Sequence, residues 1–159
     1  MTTQIAPPAV DRPQEAGLRY GLFMAAGWTM GMGVVRAMLA DGEDAKARLL
    51  NSGEPLPMGV TPVIVAETTV YASFCVEHLL RNGWSVHLPR PWLVLVSDVP
   101  APPPAAVSYR VRALGSRLVG TATVPYLPVL RTVENSAQAM EHRDVQAAGR
   151  KLRRQIEGN

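Results

Sequence analysis

Residues 92–96 read Trp-Leu-Val-Leu-Val, an apolar run without the polar alternation of a half-exposed strand. Such a run is typical of a β-strand that is covered on both faces, as in a parallel sheet. Further short apolar runs are separated from it by segments with helical periodicity, and parallel strands need crossover connections of this kind. We therefore predict an α/β fold with an open, mostly parallel sheet and flanking helices, a three-layer sandwich.

The predicted strands and helices alternate along the chain. Strands are expected at Leu18–Met24, Val63–Ala66, Trp92–Val96 and Leu118–Val124, and helices at Thr68–Asn82, Ala105–Leu114 and Ser136–Ile156. The run Trp92–Val96 is expected to be the central strand, since it has no polar position. Val70, Phe74, Cys75 and Leu79 recur at the helical period and predict the buried stripe of the helix that follows Val63–Ala66.

Two segments are harder to assign. Residues 20–40 fit either a strand, a glycine-rich loop and a helix over Val34–Ala40, or one helix weakened by its glycines. The segment Asp41–Gly53 is charged and is followed by Pro55 and Pro57, so it is predicted to be a connecting loop.

Length and composition predict one domain over residues 15–159, preceded by a flexible arm, residues 1–14, that contains three prolines. The single cysteine, Cys75, excludes an intramolecular disulfide and favours a cytoplasmic location. The longest apolar run, Tyr20–Val35, has 16 residues and four glycines. A membrane span needs about 20 apolar residues, so none is expected.

A glycine-spaced segment lies between the first candidate strand and helix, where nucleotide-binding α/β domains place a phosphate loop. Gly27, Gly31 and Gly33 could bring backbone N–H groups close to phosphate oxygens. A Walker A loop also needs a lysine and a metal-binding hydroxyl, and neither is present at the required position. Trp28, Met30 and Met32 are expected to fill the phosphate space as a buried plug, with an exposed partner-binding patch as the alternative.

Glu67 and Asp98 each follow a predicted strand, so they form the carboxylate pair that could converge at the edge of the sheet where ligands bind. They could hold Mg²⁺ or act as a base. Their alternatives are a local turn-capping role for Asp98 and simple solvation.

Other catalytic patterns are missing from the sequence. His78, His87 and His142 lack metal-binding spacing, Cys75 is interpreted as a buried apolar residue, and no G-x-S-x-G sequence occurs. We therefore expect no metal site, no required cofactor and no catalysis, while binding of ATP or GTP stays open.

The last predicted helix is basic. Arg143, Arg150, Lys151 and Arg154 could contact a nucleic-acid backbone. Interleaved acidic residues and the absence of aromatic side chains favour a solvated outer face instead.

Several of these segments, in order, resemble the MinD/ParA group of P-loop NTPases, and more closely an actinobacterial branch with an irregular phosphate loop. The resemblance runs from about Gly27 to Leu152, most clearly in Pro62–Thr68, Trp92–Pro100 and Val119–Tyr126. It implies a trimmed sheet of this type. It also implies that Pro125 and Tyr126 line a nucleotide site and that Asp98 lies near a nucleotide-sensing position.

The function expected from these observations is a non-catalytic binding or regulatory protein of P-loop NTPase-like type with a protein partner. The resemblance implies a setting in plasmid or mobile-element maintenance. One alternative is a small nucleotide- or metal-binding enzyme that uses Glu67 and Asp98. Another is a docking module that presents Tyr20–Val35 to a partner or a membrane surface.

Overall fold

A computed structural model describes residues 17–51 and 53–158, so the predicted arm, residues 1–14, lies outside the described residues. The strands are β1 (Tyr20–Met24), β2 (Ala47–Leu49), β3 (Thr61–Glu67), β4 (Trp92–Val96) and β5 (Gly120–Val124). The α-helices are α1 (Met30–Ala40), α2 (Val70–His78), α3 (Ala105–Ala113), α4 (Ser136–Ala139) and α5 (Arg143–Glu157). All strand pairs are parallel, which confirms the predicted open α/β sheet.

Helices cover both faces of the sheet and complete three layers. On one face, Leu22, Val65 and Val94 pack with side chains of α1 and α5. On the other face, Ile64 and Leu93 pack with α2 and with the segment that follows α3. The period-two alternation of each strand thus supplies both cores, because successive side chains point to opposite faces.

The strand order is β2-β1-β3-β4-β5. From β1 the chain runs to β2, which lies at one edge of the sheet. It then crosses back to β3 on the other side of β1 and adds β4 and β5 toward the opposite edge. This is the flavodoxin-like doubly wound order, and its topological switch point lies between β1 and β3. The loops that leave these two strands diverge toward opposite helix layers, so they open a crevice at the carboxyl edge of the sheet.

The first of the two interpretations of residues 20–40 is correct, since a strand, a loop and a helix follow one another. The Thr29 side chain caps α1 by accepting a hydrogen bond from the Met32 backbone N–H, so the helix begins at Met30 rather than Val34. Gly31 lies in its first turn. A Cβ atom there would be 3.1 Å from Cγ1 of Val96, so glycine allows the helix to approach β4 closely.

The prediction of a loop over Asp41–Gly53 is wrong, because this segment contains β2 and a short 3₁₀ turn, Asp44–Lys46. β2 pairs only with β1 and has three residues, of which Arg48 is polar. A three-residue edge strand has too little apolar periodicity to be recognised from sequence.

The single helix predicted over Ser136–Ile156 is also wrong, because the structure divides it into α4 and α5. Asn135 caps α4 through its side chain, and the chain turns at residues 140–142 before α5 begins. α5 is then fixed at its far end, where the Tyr20 hydroxyl donates a hydrogen bond to the Glu157 carboxylate.

Two further expectations about the sheet and its helices need correction. β4 has the predicted bounds and is covered on both faces, but β3 is the middle strand. The stripe predicted for α2 is wrong at Val70 and Phe74, which are 45% and 52% exposed, whereas Leu79 packs against the core. The helix buries Ala72, Ser73 and Val76 instead.

Candidate functional site

The crevice at the switch point holds a cavity of about 230 Å³, here called the switch-point cleft. One wall is the loop between β1 and α1, with Gly27, Trp28 and Thr29. The other wall is formed by the end of β3 and the start of α2 and includes Glu67 and Tyr71. Since ligands of open α/β sheets bind at this place, the cleft is the first candidate for a binding site.

The loop between β1 and α1 does not have the backbone of a phosphate-binding nest. Such nests need N–H groups that converge through left-handed or turn conformations. Among the described residues, the positive φ angles belong to Asp41 and to glycines at other places, not to Gly27, Gly31 or Gly33. A Cβ atom on Gly27 would meet nothing within 4 Å. Neither φ nor space therefore requires glycine at position 27.

Among the described residues that line the switch-point cleft, Glu67 alone is charged. It lies half-buried at the last position of β3. Burial raises the pKa of its carboxyl group above the ordinary value, and the nearby charge of Asp98 raises it further. The cleft thus has acidic rather than basic character.

Asp98 is held in place by its neighbour across the strand ends. The hydroxyl of Thr68, which is 3% exposed, donates a hydrogen bond of 2.9 Å to its carboxylate. Glu67 and Asp98 line a second cavity of about 200 Å³, together with Tyr126 and Arg131. This second cavity is called the carboxylate cavity below, and it adjoins the switch-point cleft at Glu67.

The residues predicted to form a degenerate nucleotide site, one without the Walker A lysine, are only partly brought together. Gly27, Trp28 and Glu67 line the switch-point cleft, and Gly31, Glu67, Asp98 and Tyr126 line the carboxylate cavity. Gly33 is buried within α1, where a Cβ atom would lie 3.2 Å from the Trp28 ring. Pro125 is exposed and lines neither cavity.

The three bulky residues of the glycine-rich segment have different positions. Met32 is 3% exposed and belongs to the core, as the expected plug requires, and Met30 is partly buried. Trp28 is 57% exposed, so the plug expectation is wrong for this side chain. The apolar run Tyr20–Val35 is mostly core, with Met24 and Trp28 as its exposed large side chains.

Sequence reasoning missed three polar or aromatic residues of the site. Thr68 and Thr69 are predicted only as the start of a helix, although Thr68 orients Asp98 and Thr69 lines the switch-point cleft. Tyr71 is 69% exposed and lines the switch-point cleft. Its position two residues after Thr69, the cap of α2, is a usable signal, because side chains in the first turn of such a helix lie beside the crevice.

The four basic residues predicted to contact phosphates, Arg143, Arg150, Lys151 and Arg154, are exposed on α5. They lie on the outer helix layer and do not line the switch-point cleft or the carboxylate cavity. Arg150 faces a separate cavity beside Arg36 and Arg153.

Among residues 17–51 and 53–158, no three His, Cys, Asp or Glu side chains cluster in a way that could hold a metal ion. Cys75 is half-buried rather than fully enclosed. In the same part of the chain, no helix has both the length and the apolar character needed to cross a bilayer.

The comparisons with known proteins give no match: no family model, no curated protein and no solved structure is significantly similar to this chain. The strand order and the position of the two cavities define the molecule as an α/β protein of doubly wound type with a candidate ligand site at its switch point.

Proposed function

We propose that the protein is a non-catalytic binding protein whose ligand occupies the switch-point cleft. The observation that carries this proposal is the composition of the cleft: no lysine or arginine is among the described residues that line it, and its charged group is Glu67. Transfer of a phosphoryl group needs cations that neutralise the developing negative charge. The cleft is therefore suited to binding rather than to triphosphate hydrolysis.

The chemistry of the walls favours a small neutral or cationic ring system. Trp28 and Tyr71 are both exposed and are among the residues that line the cleft, and aromatic rings stack on planar ligands. The volume of about 230 Å³ lies below the range of about 300–1,000 Å³ for drug-sized ligands. A nucleoside or nucleobase fits these limits better than a nucleoside triphosphate, whose negative charge would meet Glu67.

A regulatory role in plasmid or mobile-element maintenance, with a protein partner, agrees with this proposal. It rests on the resemblance to the MinD/ParA group. In such a role the ligand would act as a signal, since the fold provides two loops whose positions a bound ring could alter. The basic face of α5 offers a site for contact with nucleic acid in the same setting.

Calorimetric titration of the full chain with adenosine, guanosine and their triphosphates, with and without Mg²⁺, tests the proposal. We expect nucleosides to bind without Mg²⁺ and their affinity to fall in Trp28→Ser and Tyr71→Ser. Tyr109→Ser is the matched control, because Tyr109 is equally exposed but lines neither cavity. Failure of both nucleosides to bind, or equal loss in the control, would contradict the proposal.

The second candidate is a Mg²⁺-dependent nucleotide-binding enzyme that uses the carboxylate cavity. It is favoured by the shared position of Glu67 and Asp98 and by the orientation of Asp98 through Thr68. Mg²⁺ commonly binds through one or two carboxylates and the phosphates of a substrate. Triphosphate binding that requires Mg²⁺ and is abolished by Asp98→Asn would replace the first proposal with this one.

A further inference from the structure

A cavity of about 590 Å³ lies between the C-terminal end of α1, the turn that follows it, α4 and α5. It shares no lining residue with the switch-point cleft or the carboxylate cavity. Its charged lining consists of Arg36, Arg150 and Arg153 together with Asp41 and Asp44. We call it the arginine cavity. Its volume lies within the usual range for small-molecule sites, about 300–1,000 Å³.

Two of the guanidinium groups are held in position by backbone carbonyls. Nη1 of Arg153 donates a hydrogen bond of 2.6 Å to the Met38 carbonyl, and Nη1 of Arg36 donates one of 3.3 Å to the Ala47 carbonyl. Their side chains are only 18% and 27% exposed. Both guanidinium groups are therefore held in one orientation before any ligand arrives, which lowers the entropic cost of binding.

The third guanidinium group, that of Arg150, makes no hydrogen bond or ion pair with the described residues. Asp44 pairs with Nη2 of Arg36 at 3.5 Å, but its side chain is 91% exposed. An exposed ion pair of this kind contributes little to stability, so a phosphate group can displace Asp44 at little cost. Asp41 pairs with Arg153 at 3.4 Å and is 54% exposed.

We infer that the arginine cavity binds a small molecule that carries a phosphate group, with a hydroxylated body such as that of a sugar phosphate. Planar guanidinium groups match phosphate oxygens through paired N–H donors. The hydroxyl groups of the ligand find acceptors in Asp41 and in the side chains of Ser136 and Gln146, which also line the cavity. The excess of three arginines over two aspartates favours an anion.

The test titrates the full chain with ribose 5-phosphate, ribose and inorganic phosphate at constant ionic strength, followed by calorimetry. We expect ribose 5-phosphate to bind more tightly than inorganic phosphate and ribose to show no binding. Arg150→Gln should weaken binding about tenfold, since a hydrogen bond to a charged group is lost. Asp44→Asn should strengthen binding, because the Arg36 guanidinium is then free of its competing carboxylate.

Arg143→Gln is the matched control, because Arg143 is exposed on the same helix but does not line the cavity. The Arg143→Gln variant should bind ribose 5-phosphate with the same affinity as the unaltered chain. Absence of ribose 5-phosphate binding, or equal weakening in Arg143→Gln and Arg150→Gln, would overturn the inference. An oligonucleotide that binds more tightly than ribose 5-phosphate and depends equally on both arginines would also overturn it, in favour of a nucleic-acid contact along α5.

Discussion

Thr68 and Asp98 join the carboxyl ends of β3 and β4 through a hydrogen bond of 2.9 Å from the Thr68 hydroxyl to the Asp98 carboxylate. The threonine is almost fully buried, while the aspartate reaches the carboxylate cavity. A buried hydroxyl needs a partner, and a carboxylate acceptor strengthens the bond. The pair therefore both stabilises the sheet edge and sets the direction of Asp98.

Replacing Thr68 with valine should lower the free energy of unfolding by about 1–2 kcal/mol, because a hydrogen bond to a charged group is lost. Thr68→Ser should retain most of the stability. Urea unfolding measures both changes. Thr121→Val, at an exposed position of β5, is the control and should be near neutral. A Thr68→Val chain as stable as the unaltered one would show that the bond contributes nothing.

The stability of the protein should depend on the ionisation of Glu67. Its folded-state pKa is raised by burial and by Asp98, so the folded state holds the proton more tightly than the unfolded state does. Stability from this group is then lost as the pH rises from the unfolded pKa, about 4.3, through the folded pKa. Glutamine does not ionise, so the Glu67→Gln variant does not lose stability through this group as the pH rises. The variant should gain stability relative to the unaltered chain at pH 7.5 but not at pH 4, as measured by urea midpoints.

A matched pair of glycine substitutions tests the packing at the edge of the sheet. A Cβ atom on Gly120 would lie 2.7 Å from the Trp92 ring, whereas one on Gly115 would meet nothing within 4 Å. The rigid indole ring cannot easily move away from an added methyl group, so Gly120→Ala should lower the free energy of unfolding by about 1–3 kcal/mol. Gly115→Ala should be tolerated. Equal melting temperatures for the two variants would contradict the register of β4 and β5.

Hydrolysis of ATP or GTP should be undetectable in a phosphate-release assay. The first lysine of the sequence is Lys46. It lies just before β2, at the amino edge of the sheet and so at the opposite edge from the switch-point cleft. No lysine or arginine is among the described residues that line the switch-point cleft, and without a cation there the barrier is several kcal/mol higher. Activity that persists through repurification and disappears in Asp98→Ala would contradict this expectation.

The parts of the fold that sequence reasoning predicted correctly are those where pattern and burial agree. β4 has the predicted bounds, since an unbroken apolar run can only be accommodated between two helix layers. Glu67 and Asp98 lie at one edge because parallel strands end on the same side. This rule needs no knowledge of the strand order.

The errors arise where tertiary packing decides between local alternatives. In α2 the large residues Val70 and Phe74 suggested the buried face, but Ala72 and Val76 pack against the sheet and Ser73 is buried beside α3. Arg110 supports this choice by donating a hydrogen bond of 2.8 Å to the Ser73 hydroxyl. The turn between α4 and α5 contains no glycine or proline, so no local signal marks it.

The glycine-rich segment gives the last prediction, because Trp28 and Met32 lie four residues apart with different exposure. Met32 is 3% exposed and Trp28 is 57% exposed. Met32→Ala creates a cavity in the core and should lower the free energy of unfolding by about 2–5 kcal/mol. Trp28→Ala removes mostly solvated surface, so it should lower the free energy of unfolding by less than about 1 kcal/mol. The same substitution should lower the affinity of the switch-point cleft for a ligand that contains a ring. Urea unfolding of both variants measures the difference. A larger loss for Trp28→Ala than for Met32→Ala would mean that the tryptophan, not the methionine, closes the space beside α1.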